Sequence, residues 1–341
     1  MDIGIVFPRF TGPYGGERLV INEAKELSKL NKKVTVYTRE FEKSFADNLP
    51  KNLQIVEGIK FKTRNHQINA LIDLLYIPFL IRKIKEKHDI IIVIGWQAAL
   101  GGAIIKTFNN NKKVIYRCLE PPRFIYDLKN ESGKNMSFFS KKTLFVLSPI
   151  IKLIDKISVK KCDMIISISE NTQEQIKKIY GIDSTIVNPG IEIGRFKKHT
   201  KNEARKKLKI KQELKVYLSS SKLHKRKRID SAMRFYEKKR MKNKTVMFVI
   251  GSGPEEKKLK ESAQGIKDIV FLGNISDKML ELYLSAADYF VFTAKNEPFG
   301  IAPLEAKLAG CKIVPNDFDK PIKNWSETAK ELNKIYSKAL K

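Results

Sequence analysis

The chain has 341 residues, 42% of them hydrophobic and 30% charged, which fits two packed domains and excludes the disordered and fibrous classes. Its 66 lysines and arginines exceed its 37 acidic residues and give a formal net charge of +29. This excess favours an anionic partner such as nucleic acid, a bilayer or a phosphorylated substrate, although a lysine-biased proteome would also produce it.

Short β-branched runs alternate with amphipathic segments of helical length along the chain. In the first half the predicted strands are Ile3–Phe7, Lys33–Tyr37, Ile90–Ile94, Lys113–Tyr116 and Met164–Ile168, and the predicted helices are Gly16–Leu30, Asn69–Lys87, Gln97–Phe108 and Asn171–Tyr180. In the second half the strands are Val216–Ser219, Val246–Ile250, Ile269–Leu272, Tyr289–Phe292 and Lys312–Val314, and the helices are Ile229–Lys239, Pro254–Ser262, Asp277–Ala286 and Gly300–Ala309. The alternation predicts an α/β fold with parallel sheets covered by helices on both faces.

A Pro-Gly turn and a change of composition mark the domain boundary. Asn188-Pro189-Gly190 is followed by the polar, basic stretch Gly194–Lys211. We predict an N-terminal Rossmann-like domain of residues 1–190 and a C-terminal one of residues 191–322. A terminal helix within residues 323–341 is expected to pack back on the first domain. The carboxyl ends of the two sheets would face one cleft, where doubly wound sheets bind ligands.

One segment, Met136–Lys161, combines two stripes on a single predicted helix. The basic stripe and the apolar stripe consist of Lys152, Lys156 and Lys160, and of Leu153, Ile154 and Ile157. This combination is typical of a helix that lies in the surface of an anionic membrane. The alternative is a helix that packs its apolar side on the core and leaves its lysines in solvent.

The cysteines and the N-terminus indicate the compartment. Cys118, Cys162 and Cys311 are widely spaced and odd in number, which predicts no disulfide framework and favours a reducing compartment. The N-terminus lacks the basic and apolar regions of a signal peptide. The most apolar stretch, Ile90–Ile105, is too short for a membrane span and contains three glycines. We therefore expect a cytoplasmic protein without a transmembrane segment.

The strongest chemical motif is Glu297-Pro-Phe-Gly-Ile-Ala-Pro-Leu-Glu305, which follows a predicted strand and opens a predicted helix. Phe299 and Gly300 lie at the start of that helix, where free amides and the helix dipole favour an anion. Gly300 would let a diphosphate approach the backbone closely. The two carboxylates could contact opposite ends of a nucleotide-sugar; alternatively, Glu305 is a solvated helix residue.

Further motifs follow other strands. Lys222–Asp230 supplies cations for a phosphate, although its Lys225–Arg228 portion also matches a nuclear-localisation signal. Gly251-Ser-Gly253 offers a tight turn with exposed amides but lacks the third glycine of a dinucleotide site. Gly12–Glu17 would bring amides to the predicted cleft. Asp317-Phe318-Asp319 has the form of a metal-binding pair but lies in a polar loop, and we predict no bound metal.

Taken together, these segments resemble the family 4 glycosyltransferases, which are retaining enzymes of the GT-B fold. The resemblance runs from Met1 to about Asn316 and resumes in the last helix. It is carried by E-x7-E with an internal Phe-Gly, and by the segments GGERLVINEAKELSKLNKKVTVYT, IVNPGIEIGRF and FLGNISDKMLELYLSAADYFVFTAKNEPFGIAPLEAKLAG.

The resemblance implies a role for each candidate residue. Glu297 would lie beside the transferred sugar, while Lys222 and Lys227 would neutralise the diphosphate. Glu305 would hold the ribose hydroxyls. The other implied donor-site residues are Phe299, Gly300, Gly253, Gly273 and Ile275, and the residues implied to meet the phosphate or the acceptor from the first domain are Gly15, Gly16 and Arg123.

The chain departs from the family pattern in three places. Lys222 stands where relatives usually have arginine, which keeps the charge but loses the bidentate fork. Leu119 stands where many relatives carry a histidine that contacts the donor sugar. Only a short polar stretch separates Val314 from the last helix, so the C-terminal domain is expected to be shortened.

The implied function is transfer of a hexose-type sugar from a UDP- or GDP-sugar to a lipid-linked or membrane-surface glycan, in enzyme class EC 2.4. The implied mechanism is front-face transfer with retention, without metal or cofactor, on the cytoplasmic face of an anionic membrane. One alternative, motivated by Leu119 and the short C-terminal region, is a weakly active or non-catalytic partner subunit. A nucleic-acid-binding protein is disfavoured because no recognition motif accompanies the positive charge.

Overall fold

A computed structural model describes residues 1–12, 15–42, 45, 48–59, 66–84, 88–126, 138–197, 199–240, 244–316, 318 and 320–341. The chain divides into two compact units. The first contains Met1–Gly190 and Lys323–Lys341, and the second contains Ile191–Ile322.

The strands and helices alternate along the chain. The strands are β1 (Asp2–Val6), β2 (Arg9–Phe10), β3 (Lys33–Thr38), β4 (Glu40–Phe41), β5 (Leu53–Glu57), β6 (Ile90–Ile94), β7 (Lys113–Cys118), β8 (Met164–Ser167), β9 (Thr185–Ile186), β10 (Lys215–Ser220), β11 (Thr245–Ile250), β12 (Ile269–Gly273), β13 (Tyr289–Val291) and β14 (Lys312–Val314). The helices are α1 (Gly15–Lys29), α2 (His66–Arg82), α3 (Trp96–Phe108), α4 (Arg123–Tyr126), α5 (Phe138–Lys160), α6 (Glu170–Tyr180), α7 (Lys201–Lys207), α8 (Ile229–Lys239), α9 (Glu256–Ser262), α10 (Asp277–Ala286), α11 (Ile301–Leu308) and α12 (Trp325–Ala339). Further turns of 3-10 helix cover Ile193–Lys197 and Lys225–Lys227.

The first unit contains a parallel seven-stranded sheet in the order β5-β3-β1-β6-β7-β8-β9. All five residues of the central strand β6 are buried, because helices cover both faces of the sheet and leave no polar side. The strand order reverses between β1 and β6, so the loops after these strands separate at the carboxyl edge of the sheet.

The terminal helix α12 belongs to this first unit and packs on α1. Asn324 and Glu327 form a capping box at its start, and the Thr328 hydroxyl donates to the Asn188 carbonyl at 3.1 Å. Leu332 and Tyr336 are buried on its inner side. The chain therefore returns to the first unit after completing the second.

The second unit contains a parallel five-stranded sheet in the order β12-β11-β10-β13-β14. The chain builds β10, β11 and β12 towards one side and then adds β13 and β14 on the other, so the order reverses between β10 and β13. Two apolar cores lie on opposite faces, one around Phe248 and Phe290 and the other around Met247 and Tyr236.

The predicted strands lie where the structure has them, with ends that differ by one or two residues. The helix predicted at Asn69–Lys87 begins earlier and forms α2, while residues 85–87 lie outside the described part of the chain. The sequence reading missed short edge strands such as β5, and it missed α7. The stretch Gly194–Lys211 contains α7, whose capping box of Thr200 and Glu203 was the overlooked signal.

The predicted basic and apolar helix forms α5, and residues 136–137 lie outside the described residues. Its apolar stripe does not pack on the core: Leu153, Ile154 and Ile157 are 60%, 39% and 48% exposed. The core-facing alternative is therefore wrong for these residues. Among the described helices, none combines the length and the apolarity needed to cross a bilayer.

Candidate active site

The loops that follow β10 and β13 meet at the point where the strand order of the second sheet reverses. Lys227, after β10, places its Nζ 2.7 Å from both carboxylate oxygens of Glu297, after β13. Their side chains are 17% and 18% exposed, so the pair is largely shielded from water but still accessible. The structure thus brings together two of the three predicted catalytic residues.

The backbone around Lys227 is fixed by local geometry. Lys227 ends the 3-10 turn Lys225–Lys227, and Arg228 follows in the left-handed region with a φ of 51°. The hydroxyl of Thr293, just after β13, donates to the Arg228 carbonyl at 2.8 Å. Sequence reasoning missed Thr293, whose polar side chain directly after an apolar strand was the available signal.

Hydrogen bonds also join the loops after β10, β11 and β12. The Leu223 amide donates to the Ser252 carbonyl at 2.9 Å, and the Gly251 amide donates to the Gly273 carbonyl at 2.8 Å. The Asn274 side-chain amide donates to Ser252 Oγ at 2.7 Å. The prediction of an exposed amide at Gly251 is therefore wrong, because this amide already donates to the carbonyl of the neighbouring loop. Gly253 and Gly273 lie within this joined set of loops.

We expect Gly251→Ala to lower the free energy of unfolding of the second unit by more than about 3 kcal/mol. A Cβ at Gly251 would stand 1.9 Å from the Ser221 carbonyl oxygen, and its φ of 120° strains an L-residue. Gly265→Ala is the matched control, because Gly265 has a φ of 91° with nothing within 4 Å, so it costs only about 1 kcal/mol. Urea denaturation measures both, and equal losses would contradict the close approach.

The start of α11 has the predicted form. Gly300 is its N-cap with a φ of 85°, and a Cβ there would stand 2.6 Å from Phe318 Cζ. Phe299 is buried, with the Lys320 ammonium 5.4 Å from its ring centroid. Glycine is therefore required at residue 300 both for the backbone conformation and for the packing of Phe318.

Glu305 lies half-buried on α11, and its charge acts on Arg195. The Arg195 guanidinium donates to Glu281 Oε1 at 2.7 Å and pairs with Asp277 at 3.2 Å. Burial lowers the pKa of Arg195, but these partners outweigh burial and the pKa is raised. Arg195 lies in the segment IVNPGIEIGRF, but the sequence alone assigned this arginine no role.

Lys222 and Ile275 have different surroundings. Lys222 is exposed in the loop that also carries Lys227. Ile275 is half-buried and packs its side chain against the core on one face of the second sheet. Its side chain is therefore a packing element, whereas its implied role in base recognition concerns the backbone.

The candidates of the first unit lie at the carboxyl edge of its own sheet. Gly15 and Gly16 begin α1, and Leu119 Cδ1 lies 3.5 Å from where a Cβ on Gly16 would stand. Arg123 begins α4 and forms an ion pair with Glu120. The loops after β1 and β7 are thus adjacent, and Leu119 fills the space beside the turn.

Across the described residues, no three His, Cys, Asp or Glu side chains are grouped so as to hold a metal ion. Asp317 and Asp319 lie outside the described residues. The absence of a metal requirement stays a prediction.

The sequence model described as Glycosyltransferase Family 4 matches residues 13–195, more than half of the chain. The chain belongs to glycosyltransferase family 4. A second model, described as Glycosyl transferases group 1, matches residues 200–327, so the two matches together cover both units of this family member.

Curated relatives match parts of this family 4 chain. It is 29% identical over 142 residues to the alpha-monoglucosyldiacylglycerol synthase of Streptococcus pneumoniae, covering 39% of this chain and 32% of that protein. It is 22% identical over 368 residues to the alpha-1,3/1,6-mannosyltransferase ALG2 of Kluyveromyces lactis, covering 94% of this chain and 71% of that protein. The streptococcal match therefore spans about a third of the relative.

Solved structures show the same fold. The Anabaena protein HepE in complex with UDP and glucose matches with a TM-score of 0.63 and 17% identity, covering all of this chain and 91% of that one. The predicted GT-B class, with two Rossmann-like domains, is confirmed.

Proposed function

We propose that this protein is a retaining hexosyltransferase that moves a sugar from a UDP- or GDP-sugar to a lipid-linked or membrane-surface glycan. The observation that carries the proposal is the Lys227–Glu297 ion pair at the reversal of strand order, in a chain of glycosyltransferase family 4. Doubly wound sheets bind ligands at such a reversal. Sugar transfer also needs a positive group beside the departing phosphate and a negative group beside the sugar, and this ion pair supplies both.

The reaction separates a nucleoside diphosphate from the anomeric carbon of a sugar. The electron pair of the C1–O bond leaves with the phosphate oxygen, so negative charge grows there while positive charge grows on the sugar. The ammonium groups of Lys227 and Lys222 and the amides at the start of α11 would stabilise the phosphate, and the Glu297 carboxylate would stabilise the sugar. Loss of one such fixed group typically costs about 3 kcal/mol of transition-state stabilisation.

Retention results when the acceptor oxygen attacks the face from which the diphosphate leaves. The acceptor O–H proton passes to the departing phosphate oxygen, and the acceptor oxygen forms the new bond to C1. This route forms no covalent intermediate on a second carboxylate. Because lysines supply the positive charge, the proposal includes no metal ion and no cofactor.

Glu305 and Arg195 extend the donor site in this proposal. The Glu305 carboxylate would accept hydrogen bonds from the ribose hydroxyls. The charge of Glu305 acts on Arg195, and Arg195 would in turn orient the Glu305 carboxylate. Gly253, Gly273 and the Ile275 backbone would surround the base. The UDP and glucose bound by the Anabaena protein make UDP-glucose the first donor to test.

A membrane-bound acceptor is supported by the outer face of α5. That face carries exposed apolar side chains beside exposed lysines, namely Leu147, Ile150, Leu153, Ile154, Ile157, Lys156 and Lys160. Apolar side chains would enter the acyl boundary while lysines contact anionic headgroups. The name of the streptococcal relative, alpha-monoglucosyldiacylglycerol synthase, contains a diacylglycerol lipid and so supports an acceptor at a membrane. The cysteine pattern favours the cytoplasmic face of the membrane.

Titration calorimetry with UDP, GDP and their glucose and mannose derivatives tests the donor part of the proposal. We expect one nucleotide series to bind, with a dissociation constant between about 1 μM and 1 mM, the usual range for enzyme substrates. Lys227→Met should weaken that binding, because it removes a positive charge beside the diphosphate.

Leu119 favours one second candidate, a non-catalytic partner subunit. A chain that binds none of these nucleotides would contradict the transferase proposal and support this candidate. The nucleic-acid alternative instead requires DNA or RNA affinity that falls steeply with added salt. Titration calorimetry therefore distinguishes a transferase, a non-catalytic partner subunit and a nucleic-acid-binding protein.

A further inference from the structure

The inner side of α5, opposite its exposed apolar stripe, buries the carboxylate of Asp155 beside the apolar Val159. Asp155 is only 1% exposed, and its Oδ2 accepts hydrogen bonds from the hydroxyls of Tyr126 at 2.8 Å and Tyr180 at 2.9 Å. Burial raises the pKa of Asp155, while the two phenol donors lower it and offset part of that effect. Loss of either donor would leave a buried carboxylate with fewer hydrogen bonds and would cost free energy of folding. Asp155 therefore keeps both hydroxyls in place.

Tyr126 is the last residue of α4, which the chain reaches from the carboxyl end of β7 through Leu119–Pro122. The Lys152 ammonium, one turn before Asp155 on α5, lies 5.7 Å from the centroid of the Tyr126 ring. Helix α5 therefore holds the far end of the segment Leu119–Tyr126 through a hydrogen bond and a cation–π contact.

The near end of the same segment lies against the start of α1. Leu119 borders Gly16, and the Glu120–Arg123 ion pair lies inside the segment. The segment thus extends from the Gly15–Gly16 turn to α5 along the carboxyl edge of the first sheet, where parallel sheets meet their ligands.

We propose that Asp155 is a positioning residue that couples the exposed stripe of α5 to the acceptor-side segment Leu119–Tyr126. A bilayer that binds the stripe would restrain α5, and Asp155 would pass that restraint to Tyr126. The segment, including Arg123, is then held more rigidly when the protein lies on the surface that holds its acceptor. This inference rests on the proposed function, because it assigns a membrane acceptor to that segment.

The chain supplies a matched pair of variants. Tyr126→Phe and Tyr180→Phe each remove one phenol donor from the same Asp155 oxygen, and both leave the ring in place. Tyr126 belongs to the segment, whereas Tyr180 ends α6 and lies outside it. A purely structural Asp155 predicts the same behaviour from both variants.

The first measurement is amide hydrogen exchange in residues 119–126, with and without vesicles of phosphatidylglycerol and phosphatidylcholine. We expect the vesicles to slow exchange about tenfold in the wild type and in Tyr180→Phe, but by less than about twofold in Tyr126→Phe. Equal protection in all three proteins would overturn the coupling. Unchanged exchange in a wild type that sediments with the vesicles would also overturn it.

The second measurement separates this inference from the proposed function. With acceptor in vesicles, Tyr126→Phe should raise the acceptor KM about tenfold, which corresponds to the loss of one hydrogen bond, with little change in kcat. The acceptor KM of Tyr180→Phe should stay within about twofold of the wild type. A wild type that transfers sugar but gives equal KM values for both variants refutes only the coupling. A wild type that binds no vesicles refutes the membrane part of the proposed function together with the coupling.

Discussion

Lys227→Met is expected to lower kcat for sugar transfer by about 100-fold or more, because it removes a preorganised positive charge from the departing diphosphate. Methionine keeps much of the length of the lysine side chain, so the loop after β10 should retain its packing. Steady-state transfer from UDP-glucose measures the effect, or from whichever donor the calorimetry identifies.

Lys225→Met is the control for this prediction. Lys225 begins the same 3-10 turn but is exposed, so its substitution changes the net charge equally without touching Glu297. Its kcat should stay within about twofold of the wild type, as expected for a surface charge. Equal losses in the two variants would indicate a general effect of charge and would refute the assigned role of Lys227.

Glu297→Ala should lower turnover at least about tenfold, since the developing positive charge on the sugar loses its partner. Combining it with Lys227→Met tests whether the two residues act together. Because their side chains are in contact, the losses should not add. Additive losses, or unchanged turnover in Glu297→Ala, would contradict the proposed site.

The strands of both units could be predicted because buried parallel strands need continuous apolar runs, which Ile90–Ile94 and Val246–Ile250 provide. The motif around Glu297 and Gly300 was also visible, since glycine and charge follow a strand there. Short elements such as α7 were missed because a lysine-rich segment without an apolar stripe has no helical periodicity to detect.

The contacts inside the site could not be predicted. Lys227 and Glu297 are 70 residues apart in sequence, and their pairing depends on β13 lying beside β10. Local patterns carry no information on which strands become neighbours. The direction of the α5 stripe was ambiguous for a similar reason, because the hydroxyls that allow Asp155 to be buried on the inner side of the helix come from Tyr126 and Tyr180 on other elements.

Leu153→Asp combined with Ile157→Asp is expected to weaken binding to phosphatidylglycerol vesicles by about 100-fold or more, because each buried aliphatic side chain contributes roughly 1.5–3 kcal/mol. Leu153 and Ile157 are 60% and 48% exposed on α5, so the melting temperature should change little. Sedimentation with vesicles measures the binding, and added salt should weaken the remaining attraction of Lys156 and Lys160.

Phe108→Asp combined with Val270→Asp provides the matched control, since these exposed apolar residues lie on α3 and β12, at 87% and 37% exposure. This control introduces the same two negative charges, so any effect of net charge alone is equal in the two proteins. Only the α5 variant should lose vesicle binding if the stripe itself contacts the bilayer. Equal losses of vesicle binding in the two variants would mean that net charge alone drives binding. A large fall in melting temperature in the α5 variant would mean that the stripe stabilises the fold.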